Sequence, residues 1–133
     1  MIDCVHIVES DGILPPSGPY SPAVCGAGMC FVSCQLATNP ASGKLVEGGF
    51  DVQAVQTLFN VGAVLSAAGS SWARVVSLTV LLADLSDGER FNHHYREHVA
   101  SDGPFPARAM YQAGRMTPGA LVGVAAVALM ETT

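Results

Sequence analysis

Arg108 is the residue whose type and setting point most directly to chemistry. It follows Pro104-Phe105-Pro106-Ala107 and opens a mostly apolar segment, residues 109–113, that contains no acidic residue. A guanidinium in such a segment must bind an anion or reach water, and its planar fork matches a carboxylate through two hydrogen bonds. The segment therefore predicts a clamp for a substrate carboxylate. The alternative is a surface arginine at the end of a strand.

The other reactive groups are four cysteines in the first quarter of the chain: Cys4, Cys25, Cys30 and Cys34. Cys30 and Cys34 share a β-branched, apolar segment, in which residues four apart on a strand lie about 13 Å from one another. That distance excludes a disulfide between these two, and we expect reduced thiols. Strand alternation predicts one common face for Cys30, Val32, Cys34 and Leu36. Cys34 is then either a packing residue or a catalytic thiol.

Three histidines invite a metal hypothesis, because His94 and His98 are four residues apart on a predicted helix and His93 is adjacent. That spacing can bring two imidazoles to one ion. Glu97 stands beside the second histidine, which differs from the zincin arrangement, and no third ligand is evident. We therefore expect solvated or packing histidines, with no metal and no other cofactor.

The apolar periodicity predicts the elements that must position these residues. Asp51 is a plausible N-cap for the first helix, Gly69 ends that helix, and Asp87 caps the second. Strands are predicted near residues 4–8, 23–25, 30–36, 74–82, 107–114 and 121–130, and helices over residues 51–68 and 87–99. The simplest fold with this order is an α+β fold, with a single mixed sheet and two helices on one face.

Composition limits the classes of function. The 133 residues are one domain in length, 1–133, with 50% apolar residues, 13% charged residues and a net charge of −5. Scattered basic residues disfavour a nucleic-acid partner, and the longest apolar runs reach about half the ~20 residues of a membrane helix. No signal peptide is evident, so a cytoplasmic location is expected. The surplus of apolar residues for so small a domain predicts a symmetric oligomer.

A series of short motifs occurs in one order along nearly the whole chain. Its members are Gly18-Pro19-Tyr20-Ser21-Pro22-Ala23, Phe31-Val32-Ser33-Cys34-Gln35, Asn39-Pro40-x-x-Gly43, Asn60-Val61, Ala67-Ala68-Gly69, Asn92-x-x-Tyr95 and Phe105-Pro106-Ala107-Arg108. This series resembles the reactive-intermediate deaminase (Rid, or YjgF-like) family. The resemblance implies a chorismate-mutase-like fold of the bacillus type. It also implies a homotrimer whose sheets form a central barrel, with active sites in the clefts between subunits.

The resemblance also implies roles for individual residues. Arg108 matches the arginine that binds the carboxylate of 2-aminoacrylate-type enamines and of their imine tautomers. Tyr20 matches a tyrosine that lines the cleft, and Asn92 matches a cleft residue supplied by the neighbouring chain. Ser33 falls where a serine precedes a glycine whose backbone contacts the ligand, and Ser33 and Met110 are further candidate substrate-binding residues. In that family water attacks the imine carbon, ammonia leaves, and a 2-keto acid remains, with the rate gained mainly by positioning and charge stabilisation.

The chain departs from the family pattern at Gly123 and Cys34. Deaminases of the family carry a glutamate at the position of Gly123 that holds the attacking water, and glycine has no side chain to act as a base. Cys34 replaces a glycine that allows close backbone approach, so its side chain either narrows the pocket or offers a thiol. Cys34 joins Arg108 and Tyr20 as a candidate catalytic residue, and both Cys34 and Gly123 are candidate substrate-binding residues.

Three functions follow from these residues. The first is hydrolysis of small carboxylate-bearing enamines and imines to 2-keto acid and ammonia. The second is a non-hydrolytic step, such as tautomerisation, cyclisation, elimination or decarboxylation, in a dedicated pathway, for example one of secondary metabolism. The third is a trimeric module that binds 2-keto acids without turnover. All three place a small carboxylate ligand at Arg108.

Overall fold

The computed structural model describes residues 6–7, 12–100 and 104–131, and the structural statements below refer to these ranges. They form six strands and two α-helices. The elements are β1 (His6–Ile7), β2 (Ala23–Gly26), β3 (Met29–Leu36), α1 (Phe50–Ala67), β4 (Val75–Leu82), α2 (Gly88–His98), β5 (Ala107–Gln112) and β6 (Val122–Leu129). Short 3₁₀ turns at Trp72–Arg74 and Leu85–Asp87 precede β4 and α2.

All described strands belong to one mixed sheet with the order β1-β2-β3-β6-β4-β5. Neighbouring strands are antiparallel except β4 and β5, which are parallel. A parallel pair needs a crossover connection, and α2 lies in the segment that joins β4 to β5. β2 and β3 form a hairpin, with Ala27 and Gly28 both at positive φ as a tight two-residue turn requires.

Both helices pack on one face of this sheet. The core joins residues of α1 and α2 to alternate residues of β3, β4 and β6, among them Leu58, Phe91, Leu78 and Val124. The opposite face of the sheet carries exposed apolar side chains from four strands: Phe31, Val76, Tyr111 and Leu129. The predicted α+β class, with two helices on one face of a single mixed sheet, is therefore confirmed.

The first helix begins differently from the sequence prediction. Gly49 occupies the N-cap position of α1 at a φ of 93°, and no side chain caps the helix, so the prediction of Asp51 as the N-cap is wrong. Asp51 lies in the first turn, and its carboxylate accepts a hydrogen bond from Arg90 at 2.6 Å and pairs with His94 Nε2 at 2.7 Å. Because Arg90 and His94 belong to α2, Asp51 links the two helices.

The second helix and the outer strands differ in smaller ways. Asp87 stands at the N-cap of α2 but makes no capping hydrogen bond, and its carboxylate accepts from Arg90 at 3.1 Å instead. The predicted first strand is described only at β1, and Cys4 lies outside the described residues. Within the described ranges, no helix is both long and apolar enough to cross a membrane.

The prediction of one common face for Cys30, Val32, Cys34 and Leu36 is wrong. The register of β3 against β6 shifts between Val32 and Gln35, which is a β-bulge with one extra residue on β3. An extra residue reverses the alternation of side chains beyond it. Cys30 and Val32 are buried in the core, whereas Cys34 is exposed. The bulge therefore removes Cys34 from the packing face.

We expect Asp51→Asn to lower the midpoint of thermal unfolding at pH 7, because the link between α1 and α2 is lost. Hydrogen bonds from Arg90 and His94 lower the pKa of Asp51 from 3.8 to about 2. A carboxyl group whose pKa is lower in the folded state stabilises the fold above its unfolded pKa, and this contribution is lost as the pH falls. The difference between wild type and variant should thus shrink between pH 4 and pH 2.

Calorimetric melts across this pH range measure the difference. Glu89→Gln is the matched control, because it removes one exposed carboxylate from the first turn of α2 that has no salt-bridge partner among the described residues. Its midpoint should stay near that of the wild type. A deficit of Asp51→Asn that is as large at pH 2 as at pH 7 would contradict the role assigned to the carboxylate.

Candidate functional site

Arg108 lies near the start of the edge strand β5, directly opposite Leu78 of β4. Leu78 is buried beneath the helices, and side chains opposite one another in a sheet share a face, so Arg108 points to the helix side. Its Nη1 donates a 2.6 Å hydrogen bond to Oδ1 of Asn92 on α2. This bond orients the guanidinium. Asn92 and Arg108 of one chain are thus in contact, and the expectation that Asn92 is supplied to a cleft by the neighbouring chain stays a prediction.

A pocket of about 260 Å³ surrounds this guanidinium. Its lining residues are Leu78, Asn92, Tyr95, Arg96, Phe105, Pro106 and Arg108. No carboxylate lines the pocket among the described residues, and none lies within salt-bridge distance of Arg108. The pocket therefore combines apolar side chains with positive charge and hydrogen-bond donors, a lining that suits a small anion.

Tyr95 packs against Trp72 and Phe105, with ring centroids 5.9 and 6.3 Å away. Burial raises the pKa of its phenol, and the nearby charge of Arg108 acts in the opposite direction. The hydroxyl therefore stays protonated at neutral pH and can donate to an anion. Met110, in contrast, is absent from the pocket lining, and its sulfur lies 3.1 Å from the point where Gly88 would carry a Cβ. Within one chain Met110 is thus a packing residue beneath α2.

Tyr20 and Cys34 line a second pocket, of about 350 Å³, between the loop over residues 12–22, β3 and α1. They are the titratable residues among its described lining side chains, apart from which the pocket offers amide, hydroxyl and apolar groups. Tyr20 is half-exposed. Ser33 Oγ donates a 2.6 Å hydrogen bond to the carbonyl of Ser21, which holds the loop against β3. The bound hydroxyl of Ser33 therefore has a positioning role in this structure.

The side chain of Cys34 fills the space that a side chain at position 123 would need. A Cβ built on Gly123 would lie 2.7 Å from the Cys34 sulfur and 3.1 Å from Leu36 Cδ2. Desolvation around the sulfur raises the pKa of Cys34, although the residue as a whole is exposed. At neutral pH Cys34 is thus a thiol that can donate a proton, and not a preformed thiolate nucleophile. The absence of a side chain at position 123 is what makes room for this sulfur.

The other described thiols are inert by comparison. Cys25 and Cys30 are buried and lie opposite each other on β2 and β3. Burial and the neighbouring Cys25 raise the pKa of Cys30 to about 12. The Cys30 thiol therefore stays protonated inside the core, where a buried cysteine behaves as a small apolar side chain.

The two halves of the candidate site lie on different faces of the sheet. Gly123 stands between Val122 and Val124, which are both buried under the helices, so position 123 points to the opposite face. Arg108 points to the helix face. One chain therefore brings Arg108 together with Asn92, and Gly123 together with Cys34, without joining the two pairs.

The histidines of α2 differ in exposure: His93 and His98 are exposed, whereas His94 is partly buried. The rings of His94 and His98 stack with centroids 6.0 Å apart, and His94 pairs with Asp51. Among the described residues no group of three or more His, Cys, Asp or Glu side chains could hold a metal ion.

The sequence hypotheses did not include Arg96 as a site residue, and Tyr95 entered only as part of a motif. Both line the pocket of Arg108. Their spacing from Asn92, three and four residues along α2, was the available signal, because such residues share one side of a helix. That signal becomes useful only once Asn92 is known to contact Arg108.

Known proteins are similar to this chain over most of its length. A family model described as Endoribonuclease L-PSP matches residues 12–130. A Bos taurus protein named 2-iminobutanoate/2-iminopropanoate deaminase is 44% identical over 112 residues, which are 84% of this chain and 80% of that protein. A solved Yersinia pestis structure of the conserved Rid family has a TM-score of 0.90 at 30% identity, covering 96% of this chain and 100% of the other.

A third match is the crystal structure of E. coli TdcF with bound serine, with a TM-score of 0.87 and 28% identity over 95% of this chain and 99% of the other. The sheet, the two helices and these matches define the fold class as chorismate-mutase-like. The chain belongs to the endoribonuclease L-PSP family, which is the Rid or YjgF-like family that the motif series indicates.

We expect Gly123→Ala to lower the free energy of unfolding by about 1 to 3 kcal/mol, the usual cost of an added carbon in a filled space. The new Cβ would lie 2.7 Å from the Cys34 sulfur. In a Cys34→Gly background the same substitution should cost at least about 1 kcal/mol less, because residues in contact are energetically coupled. Urea unfolding of the four proteins measures this coupling.

Gly114→Ala is the matched control, since a Cβ at Gly114 would meet no heavy atom within 4 Å. Its cost should be the same with and without Cys34. Additive effects of Gly123→Ala and Cys34→Gly would contradict the contact between these two positions.

Proposed function

We propose that this protein is a Rid-type deaminase that hydrolyses small carboxylate-bearing imines, and their enamine tautomers, to 2-keto acids and ammonia. The observation that carries the proposal is the Arg108 guanidinium, oriented by Asn92 in a pocket without a carboxylate partner among the described residues. The relative named 2-iminobutanoate/2-iminopropanoate deaminase supports the same reaction. The solved relative with bound serine supports a carboxylate-bearing ligand.

In the proposed mechanism Arg108 holds the substrate carboxylate through a charge-assisted, two-bond contact. Water adds to the imine carbon, the nitrogen leaves as ammonia, and the carbon retains the oxygen as the ketone of the product. Tyr20 and Cys34 line the side of the cleft that faces the imine. The neutral thiol of Cys34 gives its proton to the leaving nitrogen, and the thiolate recovers a proton from the hydroxyl of the carbinolamine as the ketone forms. Ser33 fixes the loop that carries Tyr20.

We further propose that the chain is a single domain, 1–133, and that it works as a homotrimer with sites between subunits. Arg108 and Gly123 face opposite sides of one sheet, so a small substrate can touch both halves of the site only between two chains. The open face of the sheet supports closure, because it exposes Phe31 and Tyr111 at 48% and 58% of their surfaces. A closed barrel of sheets buries such a face and abolishes its edges.

A non-hydrolytic reaction is the second candidate, and the pair of Cys34 and Gly123 favours it. A water that attacks an imine is usually activated by a base, and neither Gly123 nor the described lining of the Tyr20 pocket offers a carboxylate or an imidazole. A protonated thiol suits enamine tautomerisation. Cys34 would give its proton to the enamine carbon, and the thiolate would recover a proton from nitrogen, which leaves an imine and the original thiol.

We expect Arg108→Ala to lower kcat/KM by about 100-fold or more on an imine generated in situ from an amino acid, because the carboxylate then lacks its charged partner. Arg108→Lys keeps the charge but loses the planar fork of the guanidinium, so its kcat/KM should lie between those of the wild type and Arg108→Ala. Keto-acid formation measures hydrolysis, and deuterium uptake from solvent without ammonia release measures tautomerisation.

Arg115→Gln is the matched control, since it removes an exposed cation outside both described pockets. It should retain wild-type rates. Wild-type rates no higher than those in buffer in both assays would refute an imine-directed enzyme. Unchanged activity in Arg108→Ala would refute the assigned carboxylate contact.

Mixed oligomers test the shared site. Arg108→Ala and Tyr20→Ala chains, each inactive alone, are expected to regain activity when they are refolded together. Random mixing in a closed trimer pairs an intact Arg108 with an intact Tyr20 at about a quarter of the sites. Each variant refolded alone is the control. If the mixture shows only the average of the two pure variants, Arg108 and Tyr20 do not act across an interface.

A further inference from the structure

A second arginine, Arg96, lines the pocket around Arg108 and is exposed. Asn92 and Arg96 are four residues apart on α2, so their side chains lie on the same side of that helix. Asn92 contacts Arg108 at 2.6 Å, and Arg96 lines the same 260 Å³ pocket. Two of the six Lys and Arg residues of a chain with a net charge of −5 therefore converge on one small cavity.

Neither of these guanidinium groups has a carboxylate partner among the described residues. Arg90, on the preceding turn of α2, shows the contrast, because it pairs with Asp51 at 2.6 Å and with Asp87 at 3.1 Å. Both Arg96 and Arg108 lack any such pair within the described part of the chain. Like charges that line one pocket repel each other, and an anionic group bound between them relieves the repulsion.

The remaining polar groups of the pocket also suit an anion. The Tyr95 hydroxyl makes no hydrogen bond to the described residues, although its ring is almost fully buried in the pocket wall. The amide oxygen of Asn92 is already occupied by Arg108, which leaves the amide NH₂ free to donate. The pocket thus presents hydrogen-bond donors and positive charge from α2 as well as from β5. These groups are more than a single carboxylate can contact.

We propose that the substrate carries a second anionic group and that Arg96 binds it, so that the preferred substrates are imines of dicarboxylic amino acids. Arg108 holds the carboxylate next to the imine carbon, and Arg96 holds the distal carboxylate. This inference rests on the proposed deaminase function for its reaction. The preference of the pocket for a dianion stands apart from turnover and can be measured by binding alone.

Turnover is tested with imines generated in situ by amino-acid oxidases from aspartate and glutamate on one side, and from alanine and 2-aminobutyrate on the other. Wild-type kcat/KM should be about tenfold or more higher for the dicarboxylic imines, the effect of one further charge-assisted contact. Arg96→Gln should remove that preference, because it lowers kcat/KM for the dicarboxylic imines by about tenfold more than kcat/KM for the monocarboxylic imines. Arg96→Lys should retain part of it, and Arg115→Gln should change neither class.

Binding is tested by titration calorimetry with the stable 2-keto acids 2-oxoglutarate, oxaloacetate and 2-oxobutanoate. The two dicarboxylates should bind about tenfold more tightly than 2-oxobutanoate, and Arg96→Gln should abolish the difference. Equal affinity for all three, or an equal loss for all three in Arg96→Gln, would overturn the proposal. Tighter dicarboxylate binding without turnover of any imine would instead refute the deaminase function and leave the dianion site in place.

Discussion

The alternation of side chains along β4 and β6 is the constraint on which the rest of this structure depends. Three core residues point to the helices: Leu78 of β4, and Val122 and Val124 of β6. The residues next to them along each strand therefore point to the other face of the sheet. Arg108 follows Leu78 to the helix side through the parallel register of β5, while Gly123 points away from it. This pleat divides the candidate site into two halves and leaves an apolar sheet face open, which together support a site shared between chains.

The β-bulge in β3 changes what the second half of the site can do. With regular alternation Cys34 would pack beside Val32, as the sequence alone predicts. The extra residue turns its sulfur to the side of Gly123 instead, where it fills the volume that any side chain at that position would need. The absence of a side chain at 123 and the presence of one at 34 are therefore one packing arrangement. The family resemblance implies a carboxylate base at 123, whereas this chain has a protonated thiol beside that position, so the proposed reaction type depends on both residues.

The two arginines of α2 differ in their partners: Arg90 pairs with carboxylates, whereas Arg96 has no such partner among the described residues. Arg90 is neutralised by Asp51 and Asp87 and stacks over Phe50 at 5.3 Å, so it joins the two helices. Arg96, less than two turns further along, faces the Arg108 pocket without a carboxylate partner among the described residues. A protein with few charged residues can hold two cations near each other only where solvent or an anionic ligand compensates them. This supports the assignment of the pocket to an anion of more than one charge.

The sequence by itself determined the order of the elements, the α+β class and the family, and it singled out Arg108 as a candidate site residue. These properties follow from periodicity and from motifs that are local in the chain. Tertiary structure alone decided that Asn92 orients Arg108 within the same chain, that Arg96 joins their pocket, and that Cys34 lies against Gly123. Each of these contacts joins separate elements, and a one-residue register shift, which no local pattern reveals, decides which side of the sheet a residue faces.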